Sequence, residues 1–349
     1  MKVNYIAPFC IMFALTASSA LPVDVSRMGR TRFATGQDSL ESSLDPGSRV
    51  VITSAVHLSG ELEVTAEKAE TMVFEYKRIL KTDSESEAAD YASLIEVDIR
   101  KTSDGVKLLL QAPNPAPWAG TDNAGMIEGE LHLPENCDVE VYADYFDMTI
   151  VGPFRSVENR SSLGRQDIQN VTERLIVSSS GRDIKLKEVR GNISAGTNNA
   201  DIRIEDMISE QALARISNEN GDIIIETIHG AFSINSSYGK IRIDDAELTG
   251  RTSRISGVQC PIKLTIKDMV ESGLTINDNF EDVELYIDKA VSAAFWLQAE
   301  SGGEIHVEGI PVKPTAVASD RLEFITGKGG PAIGVDVEEG GNIRIKGIH

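Results

Sequence analysis

Five histidines, His57, His132, His229, His306 and His349, are the side chains best suited to proton transfer near neutral pH. A hydrolytic site would set one of them beside an activated Ser or Cys. No Gly-x-Ser-x-Gly elbow or other recognisable nucleophile motif occurs. Paired His or paired Cys at zinc spacings are also absent, and three Cys are too few and too scattered for a disulfide scaffold. The sequence points away from an enzyme, and no catalytic, cofactor-binding or metal-binding residue is assigned.

Two other sets of charged residues recur at regular intervals. Asp183, Asp201, Asp222, Asp282 and Glu304 sit beside or near glycines. Stacked carboxylates can share a hard cation such as calcium. The nonapeptide calcium repeat is missing, however, and Asp next to Gly is a turn former whose side chain bonds the local backbone. The second set, Lys185, Arg203, Arg242 and Lys263, continued by Arg344, makes a basic stripe and the one candidate functional surface. Two residues beyond the stripe positions come Glu205, Glu226, Asp244 and Glu308. Rows of opposite sign placed side by side neutralise each other; a mixed-charge surface for a polar glycan is the sharper alternative.

The elements that must carry these rows are short strands. Ile184, Ile202, Ile223, Ile241, Ile262, Val283, Ile305 and Ile343 form a column with spacings of 18, 21, 18, 21, 21, 22 and 38. A second apolar column follows two residues later, from Leu186 and Ile204 to Ile345. Seven residues before the first column stand Val177, Ala195, Ile216, Ile234, Ile255 and Ile276. Apolar residues two apart mean strands with one buried face. Two such strands recurring every ~20 residues mean coils that bury that face only by stacking. The expected fold is all-β, a parallel β-solenoid with about 20 residues and two strands per coil. A meander of antiparallel hairpins is the competitor. Gly181, Gly221, Gly239, Gly303 and Gly341 precede the column, where a turn would use their tolerance of positive φ. The rung around Ile168 fits poorly, and Ile305 needs a one-residue insertion. Stacking in chain order would make 342–348 the closing strand. It would also separate Cys137 from Cys260 by about six steps of ~4.8 Å, too far to pair, with Cys260 partly accessible at a turn.

Upstream lies a smaller β-rich region with one helix, 49–133, before the repeats of 134–349. Ser84 and Glu87 form a capping-box pair at the helix start. Residues 21–48 lack periodicity and read as a disordered tether. Lys2, an apolar run over 6–15 and Ser18-Ser19-Ala20 read as a signal peptide over 1–20, so the protein is expected to be exported, with no transmembrane segment after cleavage. An organellar leader is the competing reading, because Arg27, Arg30 and Arg32 lie in an acid-free stretch. The formal net charge of -20 opposes nucleic-acid binding. Asn159, Asn170, Asn192 and Asn235 match the N-glycosylation pattern, which Asn- and Ser-rich turns also produce by chance. Trp118 and Trp296 are isolated and read as packing residues.

Gly-Asp-Ile-Ile-Ile at 221–225, Gly-Lys-Ile-Arg-Ile at 239–243 and Gly-Asn-Ile-Arg-Ile at 341–345 resemble the β-strand-repeat putative-adhesin family, a bacterial envelope domain of unknown function. Leu131-His132-Leu133-Pro134 followed by Val139 and Val141 resembles the start of that family's repeats. The resemblance spans roughly 50–349 and brings no catalytic residues. It implies an adhesin-like binding or scaffold module of the cell envelope, with an envelope protein or glycan as partner. The alternative is a carbohydrate-active enzyme, lyase- or hydrolase-like, with a site at 309–330, where the spacing doubles.

Overall fold

The computed structural model describes residues 23–161 and 163–348. The leader expected at 1–20 lies outside them, as does His349. The molecule is nearly all strand, and Glu85–Leu94 is the single helix among the described residues. Its start is half of the capping box read from the sequence: the Glu87 N–H donates to Ser84 Oγ at 3.2 Å. The Glu87 carboxylate does not reach back. It accepts from Thr82 and Tyr91, and the Thr82 bond foremost holds it below the usual carboxylate range.

From residue 49 onward the chain lays down two parallel ladders. In one, Ile184 pairs in register with Ile202, and the line continues through Ile223, Ile241 and Ile262 to Val283. In the other, Leu175 pairs with Ile193, and Ile216 leads through Ile234 and Ile255 to Ile276. All of these side chains are buried in one continuous core between the ladders. The rung at Ile168 is regular after all. Gln166 pairs with Ile184 and Ile168 with Leu186, so the spacing is the ordinary one and a buried glutamine stands in the isoleucine column. Its amide is satisfied by Asn159 and by donation to the Gly164 carbonyl at 2.8 Å.

A third buried row, Val171, Val189, Met207, Ile228 and Ala246, runs five residues beyond the first column. An odd offset breaks the two-residue alternation. The chain changes parity through Asn170, Glu188 and Asp206, which stand just before their row members with φ of 58°, 53° and 58°.

Several expectations need correction. The stretch read as a tether carries the strands Val25–Arg27, Arg32–Thr35 and Asp38–Ser43, the last two paired antiparallel with Thr71–Lys81. Phe33 at 0% exposure anchors it. Few apolar residues are needed where the partner strand supplies the backbone bonds. Gly221, Gly239, Gly303 and Gly341 do not have left-handed φ. They are needed because a Cβ would run into a carbonyl of the neighbouring rung, that of Ala200, Gly221, Gly341 and Glu281 respectively. Cys260 is fully buried, as is Cys137, and both thiols are free.

Stacking does not follow chain order at either end. Arg49–Ser54 lies between Gly105–Gln111 and Asp138–Tyr142, parallel to both. Leu58–Glu67 likewise lies between Ala124–Pro134 and the first half of Phe146–Asn159. At the other end, Ala332–Val337 fills the space between Leu274–Asp278 and Ala294–Ala299. Ile343–Ile348 does the same between Val283–Asp288 and Ile305–Glu308. The last strand is therefore interior and closes nothing. Antiparallel strands cover the outer rungs instead: Glu96–Lys101 on Gly105–Gln111 at one end, and the hairpin Lys313–Val317/Arg321–Ile325 on Ala294–Ala299 at the other.

Candidate functional site

The outward positions between the first and second columns bring the basic residues onto one face. Asp167 neighbours Lys185 and Lys185 neighbours Arg203, but the row then passes through Ile224 before Arg242 and Lys263. Beyond Lys263 come Glu284, Arg344 and His306. The stripe is thus two basic pairs separated by an isoleucine, and Arg344 is divided from them by a glutamate. All four of Lys185, Arg203, Arg242 and Lys263 are exposed.

Most of this charge is matched on the face itself. Arg242 Nε lies 2.7 Å from Asp244, a bond that raises the guanidinium pKa further. Arg203 reaches Asp201 at 3.5 Å, and Lys187 reaches Glu205 at 3.5 Å. Lys263 instead lies over the Tyr286 ring, 4.8 Å from its centroid. At this exposure solvent screening leaves each ion pair with little effect on stability. Asp167, Gln169, Lys185, Lys187, Arg203, Glu205 and Glu226 line a shallow groove of about 370 Å³ on this face. Sequence reading missed Lys187 and Asp167 here, although both lie at the same alternating offsets.

The turn carboxylates do not close local turns. The Asp201 N–H donates to Asp183 Oδ1 at 3.2 Å, the Asp222 N–H to Asp201 at 3.0 Å and the Lys240 N–H to Asp222 at 3.2 Å. Each aspartate ties its turn to the same turn of the next rung. Burial pushes the Asp222 carboxyl up, but the Lys240 side chain and N–H outweigh it and hold the group below the usual range. Among the described residues no group of three or more His, Cys, Asp or Glu is placed to hold a metal ion.

The histidines are likewise dispersed. His132 contacts Thr65 at 3.0 Å and Glu67 at 2.8 Å, and His306 contacts Glu304 at 2.9 Å. His229 lies between Glu210 at 3.2 Å and Glu247 at 2.8 Å. Among the described residues, none of these three histidines is hydrogen-bonded to a Ser or Cys. A second, acidic groove of about 460 Å³ was not foreseen. Glu61, Glu63, Glu128, Glu130 and Asp147 line it with Lys77, which pairs with Glu128 at 2.6 Å, and with Arg165 and Lys185. The signal was the outward Glu at alternate positions of Leu58–Glu67 and Ala124–Pro134, which only the pairing of those strands brings together. Trp118 is buried and its indole N–H donates to the His57 carbonyl at 2.7 Å, while Trp296 lies under Arg321. Of the acceptor asparagines, Asn159 is buried, Asn170 is half-buried, and Asn192 and Asn235 are exposed.

Residues 138–284 match the Toastrack family, DUF4097. The matched span holds two of the three Gly-x-Ile-x-Ile segments that carry the resemblance seen in the sequence, 221–225 and 239–243, and bears the resemblance out there. No curated protein matches the chain. Among solved structures, a putative cell adhesion protein from Clostridium sporogenes is 11% identical, over 89% of this chain and 100% of its own, with a TM-score of 0.20. A putative adhesin from Bacteroides fragilis is 8% identical over 88% and 96%, with a TM-score of 0.28. Another, from Parabacteroides merdae, is 9% identical over 88% and 95%, with a TM-score of 0.27. At such scores these likenesses carry no argument about this chain.

Proposed function

We propose that the protein is an exported, non-catalytic β-solenoid, an adhesin-like binding or scaffold module of the cell envelope. The solenoid reading is supported by the parallel in-register ladders, in which the central rungs bond rungs 18 or 21 residues away. The observation that carries the function is the flat outward face around Lys185, Lys187, Arg203, Glu205 and Glu226. It offers donors and acceptors of both signs on one sheet face, with no Ser, Thr or Cys in its lining. Such a face suits a polar, weakly charged polymer, a glycan above all. The doubled spacing at 309–330, where a catalytic cleft was the alternative, is filled by a capping hairpin. The leader read at 1–20 supports export.

The test is direct binding of the purified full chain to envelope polysaccharide, alongside the charge-reversed variant Lys187→Glu/Glu205→Lys. Retention by the wild type and loss in the variant are expected, with no new reducing ends released. Release of reducing ends would instead favour the carbohydrate-active enzyme.

A further inference from the structure

The placement of the last rung carries an inference beyond the surface reading and independent of it. Residues 332–348 occupy a slot whose two walls, 274–288 and 294–308, are contiguous earlier in the chain. The chain must lay down the outer wall one rung too far, build the hairpin, and then return. The return is a six-residue hop, Thr326 to Pro331, which carries it from one side of Ala294–Ala299 to the other. The hop is pinned at its start: Thr326 Oγ donates to the Val291 carbonyl at 3.0 Å and accepts from the Ala293 N–H at 3.0 Å. Gly327 and Gly330 then pass against Ser292, with no room for a Cβ.

Until the segment arrives, the slot presents two parallel edges facing each other across one strand width, each with unpaired backbone groups. Its seat is specific. Asn342 accepts from the Glu304 N–H at 3.0 Å on one wall and donates from N–H and side chain to Asp282 at 2.8 and 2.9 Å on the other. Arg344 pairs with Asp282 and Glu284, and Lys346 with Glu308. Every one of these bonds is made by the segment and not by the hop.

We propose that the slot also takes residues 332–348 of a second copy of this chain, giving a dimer that exchanges its last rung. The same ladders and the same Asn342 seat form in either arrangement. What differs is the hop, which must cross a strand end tightly in the monomer and can extend in the dimer. Six extended residues reach up to ~20 Å, enough to leave one copy and enter another. Short hinges under constraint favour such exchange.

Thr275 and Gly334 are register partners on the outward side of the slot wall. Full-length Thr275→Cys and Gly334→Cys chains are unfolded together, refolded at high concentration and oxidised. The doubly substituted chain is the control for intramolecular closure. Expected is a mixed disulfide dimer of doubled mass, and a shift of most material to that dimer when Lys328, Gly329 and Gly330 are deleted from the hop. The proposal is overturned if the double variant closes within a monomer while the mixture gives no intermolecular disulfide, with and without the shortened hop.

Discussion

Glycine in this chain has two distinct jobs, and a single methyl separates them. At Gly239 the backbone of the next rung passes so close that a Cβ would overlap the Gly221 carbonyl, whereas at Gly181 nothing lies within 4 Å. Both look alike in sequence, each standing just before the first apolar column. Gly239→Ala is expected to destabilise by about 1 to 3 kcal/mol, because the rungs must separate to admit the methyl. Gly181→Ala should be neutral or stabilise by up to ~1 kcal/mol, through lost freedom in the unfolded chain. Urea unfolding of the two variants checks this; equal effects would refute the close approach. Asp278 shows the same dependence on a neighbouring rung. Burial pushes its carboxyl up, against the N–H groups of Glu281, Phe280 and Cys260 that favour the ionised form. A folded-state value above the unfolded one means that Asp278 favours folding when protonated, below the unfolded value of about 3.9, and that this contribution is lost as pH rises through the raised value. Asp278→Asn keeps an oxygen for the Phe280 and Glu281 N–H groups and never ionises. Its stability relative to wild type should therefore improve from about pH 4 to pH 7, measured by denaturant unfolding at each pH. A gap that stays constant with pH would sink this account.

At the scale of strands, the two columns with even offsets were legible because alternation and recurrence pointed to the same positions, Ile202/Ile204 through Ile262/Leu264. The third row was not, because a left-handed residue such as Glu188 shifts the parity and alternation then assigns Val189 to the wrong face. Gln166 hid a regular rung for the opposite reason: the position was right and the residue type was not. The stripe was legible residue by residue, but not as a continuous line, since Ile224 interrupts it. The intercalated ends could not be read at all, because nothing in 332–348 distinguishes an interior rung from a final one. A further feature belongs to the ladder and not to any one strand. Thr197, Asn218 and Ser236 stand in register on successive rungs, each buried, with Thr197 Oγ, Asn218 Oδ1 and Ser236 Oγ unpaired among protein groups. A buried hydroxyl without a partner costs about 1 to 3 kcal/mol, so Thr197→Val, which keeps the shape and removes the oxygen, is expected to stabilise by about 1 kcal/mol. Ser209 Oγ, which donates to the Gly191 carbonyl at 3.0 Å, supplies the contrast. Ser209→Ala should destabilise by about 1 kcal/mol. Thermal unfolding of the pair distinguishes them by sign.

Over the whole molecule, rungs that touch only their neighbours make charge a local matter along each face and a global one in solution. The net charge of -20 sets a repulsive field for polyanions approaching from any distance. Against it stand two basic pairs, Lys185 with Arg203 and Arg242 with Lys263, each spaced by one rung of ~4.8 Å, which would suit a linear anion. Three features of the face count against that use. Ile224 halves the row; Asp201 and Asp244 pair with Arg203 and Arg242; and Lys263 is drawn over the Tyr286 ring. Lys185 makes none of these contacts, but its neighbours in the row are Arg203 and Asp167, and it also lines the acidic groove. At about 150 mM salt the screening length is ~8 Å, so distant basic residues cannot reinforce the four, and no retention on heparin is expected. The pairing acids make this testable in both directions. Removing them with Asp201→Asn and Asp244→Asn should uncover the stripe and produce measurable, salt-sensitive retention. Tight retention of the unaltered chain, abolished by Arg203→Glu and Arg242→Glu, would instead mean that the stripe works as a polyanion site despite its acidic neighbours. The flat face would then recognise charge and not the hydroxyl-rich polymer proposed for it.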